Sequence, residues 1–396
     1  MKRLILICTT FLMMFVSSVS AAQKITLADV TGSKFAPKVV SGINPIEGTD
    51  TYARISDDGK RIVTYSFKTG REQSVLFDVN NTMGEKISSF DGYTMSPDGT
   101  RLLIQTKTNY IYRRSYTAVH YIYTIASRKL ERLSDGGPQQ VPTWSSDGQQ
   151  VAFVREGNIF LVKLLYDNAE IQVTKDGKFN EVINGIPDWV NEEEFGFNRA
   201  LTFNADGTML CWIRYDESKV KTYSLQMYKG MRPEHSEYTD YPGFYSYKYP
   251  KAGQDNSVVT AWSYDIKSRK INRLNVPIDA DGYMPRIKST VDPNRIVVYT
   301  MNRHQDQLCL YAVNPRTTVA QLLIKESVPK YVQESAVEAI KFVGNNIILP
   351  SDRSGFMNLY IYNMNGQLQR TIGGKFDITE VYGYDAKTGD VYYQAA

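Results

Sequence analysis

Polar stretches that end in Asp-Gly recur along the chain, and each is followed by a strand-like apolar run. The first is Ile55-Ser56-Asp57-Asp58-Gly59, leading into Ile62-Val63-Thr64-Tyr65. It returns as Ser96-Pro97-Asp98-Gly99 before Leu102-Leu103-Ile104, and as Ser145-Ser146-Asp147-Gly148 before Val151-Ala152-Phe153-Val154. A fourth copy is Asn204-Ala205-Asp206-Gly207 before Met209-Leu210-Cys211-Trp212. Weaker copies stand at Asp292-Pro293-Asn294 and Gly344-Asn345-Asn346. Asp-Gly reverses a chain tightly because glycine takes positive φ at little steric cost, so each copy predicts a hairpin between antiparallel strands. Gly59, Gly99, Gly148 and Gly207 are 40, 49 and 59 residues apart, and Gly207 to Pro293 is 86. Repeats of about 40–50 residues with four short strands each predict the blades of a β-propeller. At about 45 residues per blade the chain has room for about eight. The 86-residue interval then holds an extra blade, a large insertion, or both. A β-sandwich also uses Asp-Gly turns; four copies in frame with one strand pattern favour the propeller.

Helical pattern is nearly absent. One short helix is predicted over Val190–Phe195, entered through Pro187-Asp188, because Pro and Asp suit a helix start and acidic residues favour its positive end. It falls in the 59-residue interval, where a blade is interrupted.

At the start, Lys2 and Arg3 precede an apolar run from Leu4 to Val16, followed by the small residues Ser17 to Ala22. This is the pattern of a secretory signal peptide over residues 1–22; the run is short for a membrane span, the competing reading. Residues 23–396 are then one propeller domain, exported to the periplasm or the exterior, with no membrane contact after cleavage. Beyond Cys8 only Cys211 and Cys309 occur, each in a strand-like context, so the alternatives are buried free thiols or one bridge between them.

The 396 residues carry 46 Lys+Arg and 42 Asp+Glu, a net +4. That balance supplies no electrostatic reason for a nucleic-acid partner. Hydrophobic residues at 42% and charged residues at 22% exclude a disordered chain, and 28 Tyr with 16 Phe lean towards strands. Of the three histidines, His120 lies in a strand-like run while His235 and His304 lie in polar loops. No Gly-x-Ser-x-Gly elbow, glycine-rich phosphate loop or metal-ligand cluster is present, so no catalytic residue, cofactor or metal is expected. On pattern alone, binding is the default function of an exported propeller.

Three ordered segments go further. Gly185-Ile186-Pro187-Asp188-Trp189-Val190-Asn191-Glu192-Glu193-Glu194-Phe195 resembles the double-glutamate motif of the dipeptidyl peptidase IV family. Tyr112-Arg113-Arg114-Ser115-Tyr116-Thr117-Ala118 resembles that family's segment with a substrate-binding arginine, and Tyr247-Lys248-Tyr249-Pro250-Lys251-Ala252-Gly253 the stretch leading into its extended blade. The resemblance runs from about residue 40 to the end. It implies an N-terminal propeller in which Glu193 and Glu194 hold a peptide's free N-terminus and Arg113 binds a substrate carbonyl. It also implies release of X-Pro or X-Ala dipeptides by an α/β-hydrolase domain with a Ser-Asp-His triad. No such domain follows in this sequence, so the chain alone is expected to be inactive and to work with a hydrolase domain in cis or in trans. The family extension implies a possible homodimer. The alternative is a free-standing periplasmic interaction propeller. Adjacent residues on a helix point in different directions, so convergence of Glu193 and Glu194 requires a helix end or bend.

Overall fold

A computed structural model describes residues 24–37, 39–228, 230 and 240–396; the predicted signal segment and His235 lie outside them. By contacts the chain divides into two units. One comprises residues up to Arg54 together with Val63–Ser74, the other Ile55–Ile62 and Val75–Ala396. The first contains helix α1 (Leu27–Thr31), closed by a capping box between Thr26 and Asp29.

Antiparallel meanders dominate the second unit. Strands Gln140–Trp144, Gln150–Arg155, Asn158–Lys163 and Ala169–Gln172 pair in chain order. So do Tyr283–Ser289, Ile296–Met301, Gln307–Val313 and Ala320–Ser327, and the four strands between Lys341 and Ile372. A five-stranded sheet spans Met83 to Arg132, with one parallel pairing at its edge. A four-stranded sheet over Asn44 to Asp78 falls mostly in the first unit, and in the second Ile378–Tyr384 pairs with Val391–Ala395. This succession is the blade repeat of a β-propeller.

Inner strands are covered on both faces and accordingly read as unbroken apolar runs. Ile296–Met301 is buried at every position, as are Met209 to Ile213. Phe195, Tyr215 and Tyr299 share one large cluster that spans the sheets around the site.

The fourth meander departs from the pattern twice. Its first strand is split into Val182–Asn184 and Leu201–Phe203, which both pair with Met209–Asp216. Helix α2 (Trp189–Phe195) occupies the break, as the sequence predicts. After Asp216 the chain leaves the sheet as a two-stranded arm, Thr222–Met227 with Gly243–Lys248, before returning as Val258–Asp265. The 86-residue interval therefore holds an insertion. The described residues form six sheets of four or five strands and one further pair besides the arm.

Candidate functional site

Helix α2 has only seven residues, too few to be stable alone, so its ends are held from outside. Asp188 caps the N-terminus. Its Oδ1 accepts from the Asn191 backbone N–H at 2.9 Å and side-chain amide at 2.8 Å, and its Oδ2 accepts from Ser257 Oγ at 2.5 Å. Gly196, at φ 69°, turns the chain left-handed at the other end. The last helical carbonyl, Phe195 O, accepts from Arg286 Nη2 at 2.6 Å. Arg286 is 4% exposed, lies over the Phe197 ring at 4.5 Å, and also binds Glu338 of helix α3 (Glu334–Glu338).

The three consecutive glutamates of α2 do different things. Glu192 points into the protein, where its Oε1 accepts the backbone N–H groups of Arg114 and Ser115, each at 2.8 Å. It thereby pins the loop Ile111–Ser115, itself closed by Ile111 N–H to Ser115 O at 2.9 Å. Glu193 is half-buried, and its carboxylate accepts from Arg113 Nε at 2.8 and 3.1 Å. Glu194 is exposed and carries no hydrogen bond or ion pair among the described residues. The Tyr112 hydroxyl and Glu193 together raise the Arg113 pKa, keeping it charged.

The Arg113 side chain is 64% exposed, so solvent screens this pair and it contributes little to stability. Its consequence is placement: residues 80 positions apart are brought to one point on the surface. Helix α3 adds another acid beside them. Burial raises the Glu334 pKa, Arg286 and Arg114 oppose the rise, and the Glu194 and Glu338 carboxylates add to it.

Trp189, in the first turn of α2, joins the three segments singled out above. Its ring centroid lies 5.9 Å from Tyr112, 6.3 Å from Tyr247 and 4.0 Å from Tyr249. Arg113 and Glu193 thus meet directly, while Glu194 stands open beside them near the C-terminal end of the helix. That end carries the negative pole of the helix, which favours a cation.

Sequence reasoning missed Glu192 as the loop anchor, Arg286 as the tie at the helix end, and Glu334. Glu192 was visible only as one member of a glutamate run; Arg286 stands 91 residues from its acceptor and carries no local signal. His120 is buried in its strand, with Nδ1 3.1 Å from Gln139 Oε1, and burial lowers its pKa to about 4. His304 lies in an exposed turn. Cys211 and Cys309 are free thiols, and burial raises the pKa of both.

Residues 96–396 match the family model described as the dipeptidyl peptidase IV (DPP IV) N-terminal region. The dipeptidyl-aminopeptidase B of Aspergillus niger is 28% identical over 333 residues, 78% of this chain and 37% of that protein. A probable dipeptidyl-aminopeptidase B of Tuber melanosporum is 31% identical over 322 residues, 74% of this chain and 35% of its own. Among solved structures, Porphyromonas gingivalis dipeptidyl peptidase 4 superposes with a TM-score of 0.89 at 35% identity, covering 94% of this chain and 52% of that one. A putative dipeptidyl aminopeptidase IV from Bacteroides ovatus shares the fold, with a TM-score of 0.67 at 19% identity over 90% of this chain and 50% of its own. The chain spans about half or less of the length of these proteins.

Proposed function

The chain belongs to the dipeptidyl peptidase IV family, matching its N-terminal region, and from that premise we propose that it is the substrate-gating propeller of an exported dipeptidyl-peptidase-IV-like serine peptidase. The observation that carries this reading is the contact of Arg113 Nε with the Glu193 carboxylate at 2.8 Å beside the unpaired Glu194. A peptide's α-ammonium has three N–H donors, and two neighbouring carboxylates at the negative end of a helix offer charge-assisted acceptors. When the ammonium takes Glu193, the Arg113 guanidinium is released to donate to a substrate carbonyl. While the site is empty, the same guanidinium neutralises the acid. A clamp on the N-terminus measures distance along the peptide, so cleavage after the second residue follows from where the amine is held. The triad that cleaves is supplied by a hydrolase domain, in cis or in trans, and residues 1–22 direct export.

Calorimetric titration of this chain tests the clamp, using a short X-Pro peptide and its N-acetylated counterpart. The free amine should bind about tenfold or more tighter, the worth of a charge-assisted hydrogen bond. Glu193→Gln and Glu194→Gln should each reduce that preference. Equal affinities for the two peptides would remove the clamp and leave a propeller that serves protein interaction.

A further inference from the structure

The Ile111–Ser115 loop lends Ile111, Tyr112 and Ser115 to the wall of a cavity of about 470 Å³, within the range of small-molecule sites. Arg113, Glu193 and Glu194 take no part in its lining. The rest of its wall includes the start of α2, residues before it and the arm, with Phe179, Trp189, Leu225, Met227, Tyr245 and Tyr247 as the apolar surface. Tyr245 and Tyr247 are 5.4 Å apart by centroid.

The charged groups in this wall are unequal. Acids number four (Glu156, Asp188, Glu192, Glu217) against two bases, Lys178 and Lys248. Both bases are already committed. Lys178 pairs with Glu181, and Lys248 Nζ donates to Val220 O at 2.8 Å and Ser218 O at 3.3 Å. Asp188 is buried with both oxygens hydrogen-bonded, and Glu192 is buried with its Oε1 on two backbone N–H groups. Glu217 is as deeply buried, 5% exposed, yet its carboxyl has no hydrogen bond or ion pair among the described residues. Glu217 lines the cavity, and a largely buried carboxylate gains by pairing with a cation that enters there.

We propose that this cavity binds an organic ammonium ion with an aromatic or branched aliphatic body, its nitrogen paired with Glu217 and its body against the Trp189 and Tyr247 rings. Aromatic faces attract cations, and the excess of acid in the wall rejects anions. The inference is independent of the peptide clamp. Burial and Asp188, with Asp216 adding and Lys248 opposing, raise the Glu217 carboxyl to about 7, so the site has its charge only above that pH.

Three molecules of one shape provide the probe: 3-phenylpropylamine, 3-phenylpropan-1-ol and 3-phenylpropanoate, titrated calorimetrically into the chain at pH 8. The amine should bind about tenfold or more tighter than the alcohol, and the acid not at all. Glu217→Gln should abolish the preference for amine while leaving the alcohol unchanged. Leu225→Trp, at a partly exposed arm position that does not hold the fold, should block both. Amine affinity should fall about tenfold from pH 8 to pH 6 as Glu217 takes up its proton. Equal binding of amine and alcohol, or a preference that survives Glu217→Gln, overturns the proposal. A preference lost in the Glu193→Gln/Glu194→Gln double variant also overturns it, because the amine is then held by the clamp, whose own reading stands.

Discussion

Charge chemistry at single residues here is decided by surroundings rather than by residue type. Glu192, Glu193 and Glu194 are identical groups on one helix, yet one anchors a loop, one pairs with an arginine and one is open. Glu192→Gln removes the charge that receives two backbone N–H groups, and the variant should lose about 1.5–3 kcal/mol, read as a lower urea midpoint at unchanged slope. Two other groups oppose each other with pH. His120 has its pKa lowered to about 4, so the unfolded chain binds the extra proton between pH 4 and 6.5, and stability falls as pH drops through that window. Glu217 has its pKa raised to about 7, so the folded chain holds the extra proton, and stability falls as pH rises from about 4.5 to 7. Each shift corresponds to at most about 3 kcal/mol. Melting curves from pH 4.5 to 8 should therefore be flatter for the parent than for either variant. Glu217→Gln should leave the His120 slope alone, with stability rising with pH, and His120→Gln the reverse. A Glu217→Gln curve as flat as the parent would contradict the raised carboxyl.

Among the elements, α2 separates what is readable in a sequence from what is not. Its start was legible because Pro187-Asp188 acts locally: the cap and the Asn191 groups it binds in the helix are three positions apart. The interruption of the fourth meander was legible too, from the lengthened interval before Gly207. Its far end was not, since Arg286 reaches Phe195 O from a different sheet. From the pattern alone the arm was legible only as an interval of 86 residues, too long for one unit, because an insertion and an extra blade have the same strand-like composition. Arg286→Met should keep the packing over Phe197 but leave the Phe195 and Pro285 carbonyls without their donor. The expected loss is about 1–3 kcal/mol per carbonyl left unpaired. It should come with a smaller preference for free over acetylated peptide N-termini, because the helix end that carries Glu193 and Glu194 is released. Loss of stability with the preference intact would make Arg286 a fold residue only.

Across the whole molecule, the repeated turn does more than reverse the chain. Inside each turn the aspartate is held locally; Ser96 Oγ and Thr100 N–H both donate to Asp98 Oδ1, at 2.5 and 3.1 Å. Successive turns then touch. A Cβ on Gly148 would stand 3.3 Å from the Asp98 carboxylate, and one on Gly207 3.1 Å from Asp147. Polar contacts run the same way: Gln150 Nε2 to Gly207 O at 3.2 Å, Ser146 Oγ to Asn204 O at 2.8 Å, and Asn204 Nδ2 to Pro293 O at 2.8 Å. The repeat that revealed the fold class in the sequence is thus also a sheet-to-sheet joint, which no single copy discloses. Gly59, Gly148 and Gly207 have φ of 68°, 67° and 68°, so alanine meets the same backbone strain at each, about 1–2 kcal/mol. Only the surroundings differ, since a Cβ on Gly59 meets nothing within 4 Å. Gly148→Ala and Gly207→Ala should therefore cost about 1 kcal/mol more than Gly59→Ala, the penalty of overpacking against a carboxylate that its own turn holds in place. Urea unfolding of the three variants decides it. Three equal losses would mean that the turns reverse the chain independently and that the joint between sheets lies entirely in their apolar faces.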